Sequence, residues 1–160
     1  MDISIKDYIE DSFNEIIPYL YISTFTHVHK LARDMDRDFL VVNCTKDLPM
    51  VRPDGIRVAV NDDGNEESTI EMYNAFFGIM AVIDDQIARK RDVIVHCMAG
   101  QQRSPTVVCA YLMWKRNYSL PVAITFLRTK RKEAFFWSVN FRWALESYAY
   151  HLDETAYPMY

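Results

Sequence analysis

Two rhythms of hydrophobic and polar residues alternate along this chain. The segment IIPYLYIS reads as a strand after Pro18, FLVVNC and DVIVHC are apolar runs of strand length, and IRVAV is a shorter one. Continuous runs of this kind, rich in Val and Ile, suit strands buried on both faces of a parallel sheet. Between them the period changes to that of a helix. Thr24 or Thr26 can cap a short helix through His29, Leu31 and Ala32, because a hydroxyl there accepts from a free N–H of the first turn. A longer helix is predicted from Ser68 or Thr69. It carries Ile70, Tyr73, Phe77, Met80 and Ile87 on one stripe with Phe76, Ile79 and Ile83 beside it, a face broad enough to lie under other layers.

The second half adds SPTVVCAYLMWKR, a nearly all-apolar segment of helical length expected to be buried on most sides. Ser119 with Pro121 opens VAITFLRTKRK, and Ser138 opens a last helix through Phe141, Trp143, Leu145 and Tyr148. Strands alternating with helices, then helices alone, predict an α/β fold: a central, mostly parallel twisted sheet flanked by helices. The first residues, MDISIKDYIEDSF, set Ile5, Ile9 and Phe13 at near-helical spacing, so residues 1–14 are a candidate amphipathic helix. It would pack on its own domain or on a second copy, making the protein a monomer or a homodimer through that segment.

Length and charge narrow the picture. The chain has 160 residues, half of them hydrophobic, which suits one domain over 1–160 with a core that needs no disulfide or metal. A formal charge of −4 supplies no global basic field, which disfavours a nucleic-acid partner. No leader or long apolar span is evident, and three cysteines without paired spacing point to a reduced, intracellular, cytoplasmic setting with no membrane partner. Cys44 and Cys109 lie in strongly apolar surroundings and read as small buried hydrophobes. His27 and His29 form an H-x-H pair with no further ligands at metal-site spacing, so they are expected on the surface and no metal site is predicted. The run RTKRK at 128–132 is read as a solvated helix end that favours the macrodipole, in preference to a site for acidic substrate.

Cys97 stands apart from the other two thiols. It follows the strand DVIVH and opens the stretch CMAGQQRSP, and ligands of open α/β sheets bind outside the carboxyl ends of the strands. Residues Met98, Ala99, Gly100, Gln101, Gln102 and Arg103 can curl their N–H groups around a tetrahedral anion, with Gly100 permitting the unusual dihedral such a cradle needs. The next helix directs its positive end to the same place. A thiolate is the nucleophilic form of cysteine, and helix N-termini and nearby cations favour it. Arg103 adds a planar fork able to grip two phosphate oxygens and to stabilise transition-state charge.

HCMAGQQRS resembles the His-Cys-x5-Arg-Ser/Thr loop of cysteine-based protein tyrosine phosphatases, and RSPTVVCAYLM resembles the dual-specificity branch of that superfamily. The likeness extends over about residues 15 to 150, through PYLYIS, VVNCT, RVAVND and NFRWAL, the last helix following an asparagine. This resemblance implies a small catalytic domain that hydrolyses phosphotyrosine and phosphoserine or phosphothreonine on protein substrates, without metal or organic cofactor. It implies roles for the matching residues: Cys97 as the nucleophile that forms a phosphocysteine, Arg103 as the phosphate clamp, and Ser104 as the hydroxyl that eases departure of the thiolate. His96 would orient the loop and help keep Cys97 ionised. The family's general acid aligns with Asp62, Asp63 being the rival in the same loop. The uncharged residues Met98, Ala99, Gln101 and Gln102 favour phosphoprotein over the alternatives, phosphoinositides or RNA 5′ ends. A binding module that holds phosphoproteins without turnover is the remaining alternative.

Overall fold

The computed structural model describes residues 12–156. A five-stranded sheet runs in the order β1-β2-β5-β3-β4. Its members are β1 (Phe13–Ile17), β2 (Leu20–Ser23), β3 (Phe39–Asn43), β4 (Ile56–Arg57) and β5 (Asp92–His96). Only β1 is antiparallel to its neighbour; β2, β5, β3 and β4 are parallel. The sheet is thus mostly parallel, as the apolar runs predict, and five helices flank it: α1 (Phe25–Asp34), α2 (Glu66–Ala88), α3 (Arg103–Arg116), α4 (Leu120–Lys130) and α5 (Arg142–Ala156). Among the described residues, no helix is long and apolar enough to cross a membrane.

Side chains alternate across the central strands, and this parity sorts them into two cores. Tyr21, Phe39, Val41 and Ile94 pack with Val28 and Leu31 of α1. Leu20, Ile22, Leu40, Val42, Val93 and Val95 face the layer of α2, α3, α4 and α5. Parity continues past the end of β5: Cys97 joins the second core with Cys44 and Cys109, while the His96 ring lies 6.0 Å from that of Phe25 at the start of α1. Ser23, Asn43 and His96 stand opposite one another in the register, so β2, β3 and β5 end on one level.

Several elements differ from the sequence expectations. Phe13 and Asn14, expected in an N-terminal helix, lie in β1; Pro18 and Tyr19 turn the chain, Tyr19 at φ 73°, so that β1 pairs with β2 as a hairpin. Ile5 and Ile9 lie outside the described residues. The IRVAV strand shrinks to Ile56–Arg57. Helix α2 begins at Glu66, and its buried residues are Ser68, Met72, Phe76, Ile79, Met80 and Ile83, so the core face centres on the row with Phe76 and Ile83. Ile70 and Phe77, placed on the main stripe, are exposed, although Phe77 packs against the His151 ring of α5. Ser138 does not open the last helix, which starts at Arg142 after an irregular segment.

Thr24 caps α1, accepting from the His27 N–H, and Ser119 caps α4 in the same way through Val122. Helix α3 is buried from Ser104 to Met113, which explains why its sequence shows no polar stripe: sheet, α2, α4 and α5 all pack on it.

Candidate active site

Cys97 leaves β5 at the level where three parallel strands end, and α3 begins six residues later at Arg103. The intervening loop is held from outside by its carbonyl groups. Met98 O accepts from the Phe25 N–H at 3.1 Å, and Gln101 O from the Phe135 N–H at 2.8 Å. Ala99 O and Gly100 O accept from the Arg131 guanidinium at 3.2 and 2.8 Å. Gln102 O accepts from Thr106, through its N–H at 3.0 Å and its hydroxyl at 2.6 Å. In a planar trans peptide the C=O and the following N–H point in opposite directions. Carbonyls tied outward at 98, 99, 100, 101 and 102 therefore turn the N–H groups of residues 99–103 inward, forming a concave array of donors for an anion.

Gly100 makes the close approach possible. Its φ is +65°, and a Cβ there would lie 2.9 Å from the Arg131 guanidinium and 3.1 Å from Ser23 O. Arg131 is 1% exposed and also donates to Asn14 Oδ1 of β1 at 2.7 Å. The structure thus corrects the reading of 128–132 as wholly solvated. Arg131 points inward and ties the end of α4 to the 98–103 loop and to the first strand. Nothing in the neighbouring residues signals it; only the outward carbonyls of the folded loop call for this donor.

Cys97 is 3% exposed, with its Sγ 3.2 Å from Ser104 Oγ on the first turn of α3. A hydroxyl at this distance can donate to a thiolate and stabilise it as a leaving group. Burial pushes the Cys109 thiol up to about 12 and raises that of Cys44 as well, so both are neutral packing groups at pH 7. His96 is fully buried, and desolvation lowers it to about 4, opposed only in part by its contact with the Cys97 carbonyl. Its ring is therefore neutral at pH 7, and its Nδ1 lies 3.3 Å from Cys97 O. Any help it gives the thiol comes through that hydrogen bond and not through a positive charge.

Arg103 Nη1 donates to Val60 O at 3.1 Å, joining the loop to the segment that carries the two acidic candidates. Those candidates part company. Asp62 is exposed and accepts from Asn140 Nδ2 at 3.0 Å. Asp63 turns to the start of α2, accepting from the Asn65 N–H at 3.0 Å and Ser68 Oγ at 2.8 Å. These hydrogen bonds, that from the Asn65 N–H first, hold the Asp63 carboxyl below the usual range, which makes it a poor proton donor near neutrality. Asn140 itself is positioned by Gln102, whose Oε1 accepts the Asn140 N–H at 3.0 Å while its Nε2 donates to Ser138 O at 2.6 Å. Asn140 and Gln102 thereby link the donor array to Asp62, a link between residues 38 and 78 positions apart that no local motif announces. Met98 and Ala99 are exposed at the loop's opening.

Such a site can receive a tetrahedral oxyanion on five amides and a guanidinium, present it to a thiol, and offer a carboxyl group for the departing atom. Comparison with known proteins points the same way. The family model "Dual specificity phosphatase, catalytic domain" matches residues 20–150. Human dual specificity protein phosphatase 7 is 31% identical over 73% of this chain, which covers 28% of that protein. A candidate tyrosine phosphatase, 123R, of Invertebrate iridescent virus 6 is 40% identical over 49% of this chain and 54% of its own. The chain thus spans about half or less of the length of these curated relatives. The crystal structure of a mouse candidate dual specificity phosphatase complexed with zinc tungstate superposes with a TM-score of 0.73 at 26% identity, covering 92% of each chain.

Proposed function

We propose that this chain, which belongs to the dual specificity phosphatase family, hydrolyses phosphate monoesters on tyrosine and on serine or threonine of protein substrates. The observation that carries the reading is the outward anchoring of the carbonyls at 98–102, which leaves an amide cradle over the Cys97 thiol. Cys97 Sγ attacks phosphorus in line, the S–P bond forms as the P–O bond breaks, and Asp62 gives its proton to the leaving oxygen. Arg103 and the amides hold the equatorial oxygens throughout. A water then attacks the phosphocysteine, Asp62 takes its proton, and the Ser104 hydroxyl donates to the departing thiolate. These residues suffice for the chemistry without a metal.

The uncharged interior of the loop favours a protein phosphoester over a densely charged lipid head group, since Met98, Ala99, Gln101 and Gln102 offer no extra cation. Three free, buried cysteines suit an intracellular, reducing compartment. A direct test compares p-nitrophenyl phosphate, phosphopeptides, phosphoinositides and RNA 5′ ends as substrates of the purified protein. Turnover of the aryl phosphate and the peptides is expected. Cys97→Ser should lower it by about 10⁴-fold or more while retaining phosphopeptide binding. Preference for lipid or RNA, or full activity in Cys97→Ser, would reject the reading; binding of phosphopeptide by a wild-type protein that turns nothing over would make it a binding module.

A further inference from the structure

The segment between α4 and α5 carries two rings that the core does not use. Ala134, Phe135 and Phe141 are buried, yet Phe136 is 53% and Trp137 86% exposed. Both ends of this tip are bonded to the anion-binding loop: the Phe135 N–H donates to Gln101 O on one side, and Ser138 O accepts from Gln102 Nε2 on the other. Phe135 has φ 55°, a left-handed conformation uncommon for a bulky residue, and it reverses the direction of successive side chains. Its own ring enters the core while the next two turn out. Phe136 and Trp137 stand edge to face, with centroids 4.8 Å apart at 87°, and so brace each other.

Resting on the phosphatase reading above, we infer that Phe136 and Trp137 recognise the peptide bearing the phosphoryl group, selecting an apolar or aromatic side chain close to the phosphorylated residue. Placement identifies the occupant. The tip is attached to Gln101 and Gln102, and Asn140 just beyond it binds Asp62, so a phosphorylated side chain seated between loop and acid brings its own backbone alongside the rings. An extended peptide advances about 3.4 Å per residue, which sets neighbours one or two positions away against the tip. The rings are neutral and braced, so little freedom is lost when an apolar side chain packs on them, the circumstance in which Trp dominates recognition. Met98, exposed at the beginning of the same loop, adds a second apolar surface at the opening.

The experiment scans phosphotyrosyl peptides of otherwise alanine sequence, placing Leu, Phe, Arg or Glu singly at positions −2 to +2. Wild-type protein should favour Leu or Phe at one position by roughly tenfold in kcat/KM, expressed in KM, and Trp137→Ala should erase that preference. Trp137→Phe should restore part of it, and hydrolysis of p-nitrophenyl phosphate, which has no neighbouring residues, should stay within about threefold in both variants. Binding of the preferred peptide to Cys97→Ser should also change tryptophan emission, and the change should vanish in Cys97→Ser/Trp137→Ala. A flat scan, a preference for Arg or Glu, or a preference that survives Trp137→Ala overturns the inference while aryl phosphate turnover leaves the phosphatase reading standing. Should no substrate turn over, the emission change alone decides it.

Discussion

The loop 98–103 and the loop 61–65 face one another across the site, but they are held in different ways. The first has its carbonyls fastened by α1, α3, Arg131 and the segment before α5. The second reaches the site through the exposed carboxyl of Asp62 on the exposed amide of Asn140, with Val60 O on Arg103 behind it. The proposed phosphoryl transfer gives a reason for the contrast. A transferring phosphoryl group has the same shape whatever it leaves, so its donors gain from being fixed in advance. The leaving oxygen sits on an alkyl or an aryl group of different length, so its proton donor gains from a tether that can adjust.

Removing the fixed half's anchor should have the largest effect. Arg131→Met leaves the buried Gly100 carbonyl and the part-buried Ala99 carbonyl without this donor and should cost about 3 kcal/mol of unfolding free energy. It should also cut kcat/KM on aryl phosphate by about 10²-fold at temperatures where the variant is folded. Inhibition by vanadate should weaken in parallel, and Arg131→Lys, which lacks the fork, should recover little of either. A folded Arg131→Met protein with unchanged vanadate inhibition would show that the amides do not depend on this anchor.

The adjustable half is tested by leaving-group dependence. Asp62→Asn should slow a phosphoseryl peptide by about 10²-fold and an activated aryl phosphate far less. Asp63→Asn should spare both rates and instead lower the melting temperature, because Asp63 holds the start of α2. Its carboxyl is depressed, so the contribution is present above the unfolded value near pH ~4 and is lost as pH falls through the lower folded one. If the leaving-group effect followed Asp63 instead, the acid would be misassigned.

The last prediction concerns His96 beneath the loop and is read in stability. Its folded value of about 4 lies under the ordinary 6.5, so the unfolded chain binds the proton that the buried ring refuses. Stability should therefore fall as pH drops from about 6.5 toward 4, by no more than ~1.4 kcal/mol per pH unit. In His96→Gln this part of a urea-unfolding pH series should flatten. An unchanged slope would assign the acid sensitivity elsewhere.

The two loops also differ in how far they could be read from sequence. Cys97, Gly100, Arg103 and Ser104 are consecutive or nearly so, and their geometry follows from one strand end and one helix start, so the motif contains its own context. Cys44 and Cys109 were legible for a similar reason, each lying within a continuous apolar run. The supports were not. Arg131 looks like any other cation in RTKRK, and only tertiary packing distinguishes it from its solvated neighbours. Asn140 and Gln102 pair across 38 positions, and a pairing of that range leaves no periodic trace. Phe13 fell to the wrong element because near-helical spacing at its N-terminal side competes with a hairpin fixed by Pro18 and Tyr19. On α2 the apolar residues are so numerous that periodicity could not choose between two adjacent rows; packing against the sheet chose Phe76 and Ile83.

The anchors Arg131, Phe135 and Asn140 all follow Cys97 in the chain, by 34 to 43 positions. A ribosome therefore releases the thiol well before the groups that shape its surroundings. Until the stretch through Asn140 has emerged and docked, the carbonyls of residues 99, 100 and 101 lack their partners, and the loop is held only at its two ends, by Phe25 and Thr106. Competence arrives late in synthesis, as a property of the finished domain, and a chain broken off before residue 131 would carry the complete motif without the site.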